Sequence, residues 1–208
     1  DLLYGEDGDD TLFGGAGNNE LFGGSGNDTV NYEGSTAVNV NLRGSEFVGN
    51  NGTASHGSDT DKLYLIENIV GSDVDDTIEG NSIGNTLDGG AGNDTISFAN
   101  ATSGVNIDLD IDATTQDTSA DGVDFIKNFE NVLGSSNKDN IKGDENTNKL
   151  YGGAEDDSID ARAGNDTLYG EAGNDVLYGG VGADEIYGGL GSDTIRISFT
   201  DDVTTDAN

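Results

Sequence analysis

The sequence predicts an all-β solenoid, and three observations predict it. A nine-residue period recurs along most of the chain. One aliphatic residue stands at a fixed place in every period, and a glycine-rich stretch ending in Asp or Asn precedes it. A fixed period of this kind marks a repeat architecture in which each unit buries its apolar side chain only by stacking on its neighbours.

Three blocks keep the register. The first spans residues 1–31, entering on the repeat tail Asp1-Leu2-Leu3-Tyr4 and continuing as GEDGDDTLF, GGAGNNELF and GGSGNDTVN. The second, residues 71–97, reads GSDVDDTIE, GNSIGNTLD and GGAGNDTIS, and the third, residues 134–196, holds seven units. Position 8 is aliphatic in all thirteen units, from Leu12 to Ile195, between neighbours that are mostly polar or tyrosine. One inward side chain between two outward ones is a three-residue strand. Position 1 is glycine except at Ala161, and position 6 is always Asp or Asn. Each unit is therefore a tight turn, a carboxylate or amide, and a short strand.

Composition says what such a chain lacks. Forty-one acidic residues oppose 8 basic ones, a net charge of −33, and 34 glycines add conformational entropy to the unfolded state. Low hydrophobicity with high net charge ordinarily means disorder. Divalent cations are the natural means of neutralising this acid. Nucleic acid and anionic membrane surfaces are excluded as partners by repulsion. Without cysteine there is neither a disulfide framework nor a thiolate metal site. No apolar run approaches membrane-spanning length, so no membrane insertion is expected, and no signal-peptide pattern opens the chain. The absent methionine and the severed first repeat suggest a piece of a larger protein.

These thirteen units resemble the RTX (repeat-in-toxin, haemolysin-type) calcium-binding repeat family, whose consensus is G-G-x-G-x-D-x-U-x. The resemblance implies a right-handed parallel β-roll with two nonapeptides per coil. It also implies calcium ions between loops one coil, or 18 residues, apart in the sequence. Such ions take six to eight hard oxygen ligands. The implied carboxylate pairs are Asp10/Asp28, Asp76/Asp94, Asp139/Asp157, Asp157/Asp175, Asp166/Asp184 and Asp175/Asp193. Pairs containing an amide involve Asn19, Asn85 and Asn148, as in Asp1/Asn19 and Asn148/Asp166. The glycines opening the loops, Gly14, Gly23, Gly89, Gly152, Gly170, Gly179 and Gly188, let carbonyls approach the ion. About six strong sites and up to about ten in all are expected on this ligand chemistry.

Between the blocks lie two spacers, residues 32–70 and 98–133, which parallel each other. Tyr32–Leu42 matches Phe98–Leu109, and Ile66–Gly71 matches Phe129–Gly134. Alternation at Val38–Leu42 and Val105–Leu109 predicts strands, with irregular loops near residues 43–61 and 112–124. The tails Glu67–Val70 and Glu130–Leu133 fit the last four repeat positions, so the coil resumes there. Residues 197–208 are a cap or linker.

Other chemistry is weaker. Asp108-Leu-Asp110-Ile-Asp112 lacks the glycine and glutamate of an EF-hand loop. His56, the sole histidine, sits in a polar stretch and is expected to be an exposed loop residue without a catalytic partner. Tyr151, Tyr169 and Tyr187 fall one coil apart, about 4.8 Å, and should pack on each other or on a neighbouring domain. Threonines at position 7 reflect β-propensity. No catalytic constellation stands out, and the expected role is a structural, non-enzymatic module. The resemblance places it outside a bacterial cell after type I secretion, in a large adhesin, toxin or secreted enzyme. Its expected state is a monomer, with polysaccharide recognition as the alternative role.

Overall fold

The computed structural model describes residues 1–45, 51–110, 115–118, 122–198 and 204–206, and every regular element among them is a β-strand. The chain divides into two compact units, Asp1–Ile96 with Asp121–Phe129, and Ser97–Ala120 with Glu130–Asn208.

The second unit is the more regular. One parallel sheet runs in the order Asn131–Leu133, Lys149–Ala154, Thr167–Ala172, Glu185–Tyr187 and Thr204–Asp206. Its companion runs Asn106–Asp108, Asn140–Lys142, Ser158–Asp160, Val176–Tyr178 and Thr194–Arg196. Leu150 lies beside Leu168 and Leu168 beside Ile186, while Ile141, Ile159, Leu177 and Ile195 form the facing row. Each partner is 18 residues on, so two nonapeptides make one coil of a parallel β-roll. The last strand breaks this offset by one residue, pairing Ile186 with Thr205.

In the first unit Leu3, Leu21 and Leu63 line one sheet, and Leu12, Val30, Ile69, Leu87 and Ile126 line the other. The repeat continues through its spacer, but with an interruption. Gly52–His56 pairs antiparallel with both Val38–Asn41 and Asp59–Tyr64. This hairpin corrects the expected irregular loop over 43–61, of which residues 46–50 lie outside the described residues. The alternation that forms it is short: Gly52, Ala54 and His56 point inward, and Thr53 and Ser55 outward. The expected loop over 112–124 is likewise corrected by strands Thr115–Asp117 and Val123–Lys127, with 112–114 and 119–121 outside the described residues.

Within each unit the core consists of aliphatic rows one residue wide. Every position-8 residue is buried except Ile195, which is half-buried at the end of its row. Burying one such side chain contributes about 1.5–3 kcal/mol, and a coil offers two. The spacers add Tyr32, Leu42, Ile66, Phe98 and Phe129, all buried.

Turns between strands are packed against the coil before. Gly180 has φ +95°, and a Cβ there would run into the Arg162 carbonyl. Glu6, Glu155, Arg162 and Glu171 hold the same left-handed conformation without being glycine, at a cost of about 1–2 kcal/mol each.

Leu168→Ala should cost about 3 kcal/mol in calcium-saturated protein, and Ile195→Ala under about 1 kcal/mol. Urea denaturation measures both; equal costs would contradict a core that ends at Ile195.

Candidate metal centre

The loops are tied together by one repeated contact. Within the blocks the main-chain N–H of a position-6 residue donates to the Oδ1 of the position-6 aspartate one coil later. The distances are 2.9 Å for Asp10 to Asp28, 2.7 Å for Asp76 to Asp94 and 2.8 Å for Asp139 to Asp157. They are 2.8 Å for Asp157 to Asp175, 3.1 Å for Asp166 to Asp184 and 3.0 Å for Asp175 to Asp193. Asn148 donates to Asp166 in the same way at 2.8 Å. All six carboxylate pairs from the sequence are thus brought together.

The second carboxylate oxygen is different. Oδ2 of Asp10, Asp28, Asp94, Asp157, Asp166, Asp175 and Asp184 is buried with no hydrogen-bond partner. A buried carboxylate oxygen left unpaired is costly unless an opposite charge meets it. Beside all of these but Asp166 lies the glycine that opens the loop; at Asp166 that position is Ala161. A Cβ on Gly170 would stand 2.5 Å from both Asp175 Oδ2 and the Gly188 carbonyl one coil on, and one on Gly5 would meet Asp10 Oδ2 at 2.7 Å and the Gly23 carbonyl at 2.5 Å. Gly152 faces Asp157 and the Gly170 carbonyl. Gly23, Gly89, Gly179 and Gly188 face Asp28, Asp94, Asp184 and Asp193 in turn. At Gly5, Gly23, Gly89, Gly152 and Gly170 the cradle pairs a carboxylate oxygen with a carbonyl oxygen, the hard donors calcium prefers. Among the described residues no three His, Cys, Asp or Glu side chains converge on a metal position. The carbonyls that face the same glycines are further oxygens available to a coordination shell. A bound calcium ion would supply the positive charge these oxygens lack.

Three kinds of loop depart from this pattern. At Asp76 and Asp139, which open their blocks, serine stands at position 2. Ser72 Oγ donates to Asp76 Oδ1 at 2.8 Å and Ser135 Oγ to Asp139 Oδ1 at 2.8 Å, while their main-chain N–H groups take Oδ2 at 2.5 and 2.6 Å. Both carboxylates are saturated. At Asn85 and Asn148, Nδ2 donates to the carbonyl of Glu67 at 2.8 Å and of Glu130 at 2.9 Å, one coil back. At Asn19, Nδ2 donates to Asp61 Oδ1 at 2.8 Å, and Gly14 faces this amide.

Asp61, Glu67 and Asp124 act as position-6 acids within the spacers. Asp61 Oδ1 accepts Asn19 N–H at 2.9 Å, Glu67 Oε2 accepts Asp28 N–H at 2.8 Å, and Asp124 Oδ1 accepts Asn85 N–H at 2.9 Å. The signal was present in Asp61-Lys-Leu-Tyr and Asp124-Phe-Ile-Lys, which read as positions 6–9, but no glycine-rich loop precedes them. Asp61 Oδ2 is filled by His56 Nε2 at 3.1 Å and Tyr32 Oη at 3.1 Å. His56 is therefore a buried strand residue, not the exposed loop histidine expected, because the hairpin folds it onto Tyr32. Burial, with Asp61 beside it, raises the Tyr32 phenol far above its ordinary value.

Asp108 is held by Arg162, whose Nη1 and Nη2 donate at 2.6 and 2.8 Å. That pair, not an EF-hand loop, uses its carboxylate, and Asp112 lies outside the described residues. The aromatic rows stack as expected. Ring centroids are 4.7 Å apart for Tyr151 and Tyr169 and 4.9 Å for Tyr169 and Tyr187, leaving no slot for a sugar. A second ladder, Tyr4–Phe22–Tyr64, was missed because the last ring comes from the spacer.

Burial, reinforced by neighbouring carboxylates, pushes Asp157 up to about 7 and Asp166 up to about 6, and it also raises Asp139 and Asp175. In the unfolded chain these groups release protons near pH 4. Between the two values the metal-free fold binds more protons than the unfolded chain, so its stability falls as pH rises. Acidifying metal-free protein from about pH 8 to about pH 5 should increase its β circular-dichroism signal, and Asp157→Asn should flatten that response. With calcium present the same acidification should raise the midpoint calcium concentration, since protons compete for the oxygens. A metal-free signal that falls on acidification would contradict the buried rows.

A family profile for the RTX calcium-binding nonapeptide repeat matches the chain four times, over residues 1–31, 67–100, 133–168 and 160–195. No curated protein matches it. The profile covers more than half of the chain and coincides with the three blocks. That family's repeats are structural and bind calcium in bacterial proteins; they are not catalytic. With its 18-residue ladders and orphaned carboxylates, the chain belongs to the RTX calcium-binding repeat family.

Proposed function

We propose that this chain is a calcium-triggered folding module of a protein exported by type I secretion, acting outside the cell as part of a large surface adhesin. The observation that carries the reading is the set of seven buried carboxylate oxygens without a partner. A net charge of −33 opposes compaction, and the thin aliphatic core is little to set against it. Where calcium is scarce the chain stays extended, the form in which a secretion channel passes it. Where calcium is millimolar, ions occupy the cradles and their binding free energy becomes folding free energy. Its partners on this reading are the ions and neighbouring domains of the parent chain, and it remains a monomer.

The ions gather where aspartates are orphaned. The richest rows are Asp157–Asp175 and Asp166–Asp184, with Asp10–Asp28 and the lone Asp94 in the earlier blocks. At Asn19, Asn85 and Asn148 the side-chain amide N–H supplies the positive pole, and these loops close without an ion of their own.

Calcium titration followed by circular dichroism should convert a disordered spectrum into a β spectrum, reversibly with chelator. Equally strong β-structure in excess chelator would sink the folding-trigger reading. Asn148→Asp should add one bound calcium per chain by native mass spectrometry; an unchanged count would show that the amide is not what keeps an ion out.

A further inference from the structure

Where the first spacer rejoins the roll, a short turn stands in for a full repeat loop. In a regular unit, four residues separate the position-1 carbonyl from the position-6 carboxylate. Here Ile66 alone separates Leu65 from Glu67. Yet the contacts are those of a complete loop. Leu65 has φ +53°, and its carbonyl faces Gly23 beside Asp28 Oδ2, which lies 2.5 Å from the place of a Gly23 Cβ. The Gly23 carbonyl stands in the same relation to Gly5 and Asp10 Oδ2. Glu67 Oε2 accepts Asp28 N–H at 2.8 Å, as an aspartate Oδ1 does elsewhere. Asp28 is fully buried and its Oδ2 has no partner.

Two adjustments make the shorter turn work. Glutamate is one methylene longer than aspartate, so the carboxylate still reaches the ladder from a chain three residues shorter. Ile66, fully buried, fills with hydrocarbon the place where a regular loop has glycine and polar residues, and Ser45 Oγ donates to its carbonyl at 3.1 Å.

We propose that Asp28 Oδ2, the Leu65 carbonyl and the Glu67 carboxylate form a calcium site that fastens the inserted hairpin to the roll. The site lies partly outside the nonapeptides, and the turn is a distinct, abbreviated half-site. The second spacer supports it independently: Asn128 has φ +57°, its carbonyl faces Gly89 beside the orphaned Asp94 Oδ2, and Phe129 is buried as Ile66 is. Glu130 follows in the sequence as Glu67 follows Ile66.

The site rests on the calcium reading above, and the test separates the two. Bound calcium is counted by native mass spectrometry at saturating calcium, with circular dichroism to verify folding. Glu67→Gln, which keeps an acceptor for Asp28 N–H but removes the charge, should bind one ion fewer than the unaltered chain. Glu67→Asp, which keeps the charge but shortens the reach, should weaken one ion about tenfold or more and leave the others unchanged. Should Glu67→Gln fail to fold, the Glu67→Asp titration decides alone. Full count and unchanged affinity in the folded variants would overturn the site while leaving the rest of the calcium reading standing. An unaltered chain that binds no calcium would instead overturn the calcium reading itself.

Discussion

The structure depends on one asymmetric carboxylate. Asp28, Asp157, Asp166 and Asp175 each spend Oδ1 on a main-chain N–H of the preceding coil, and burial leaves Oδ2 without a hydrogen-bond partner. The first contact fixes the spacing of coils; the second makes that spacing unfavourable until a cation arrives. Asp157 shows the balance within one residue. It holds Asp139 N–H and receives no compensation at Oδ2, and burial raises its pKa to about 7. Stacking aspartates in register therefore builds a demand for positive charge that grows with every coil.

The loops that escape this demand do so by three different chemistries. Ser72 and Ser135 saturate the first aspartate of a block with hydroxyl and amide donors. Asn85 and Asn148 exchange a charged oxygen for an N–H that meets a carbonyl. Asp61 keeps its charge but gives its second oxygen to His56 and Tyr32. All three satisfy the polar groups from within the chain, the condition that buried polar atoms impose everywhere.

Where the period was strict, the sequence revealed the fold and the aspartate ladder within it. Aliphatic position 8 foretold the buried rows, and the 18-residue spacing of aspartates foretold the ladder contacts. What escaped lay where loop length changed. Asp61 and Asp124 occupy ladder positions without a glycine-rich loop before them, so the period gave no warning. His56 looked like a surface residue because its surroundings are polar; only the antiparallel pairing with Val38 brings it beneath Tyr32. The asparagines illustrate a further limit: spacing places an amide in the ladder, but not whether its oxygen or its nitrogen faces the neighbouring carbonyl.

The antiparallel hairpin has another consequence. Nonapeptides are nearly interchangeable, so a folding roll could close one coil out of step and still bury its aliphatic rows, much as a zip can catch one tooth early. Gly52–His56 matches no repeat, and the contacts of His56 with Tyr32 and Asp61 exist in one alignment only. The hairpin thus works as an index mark: coils on either side count from it, and a slip by one period would leave its buried polar groups unmatched.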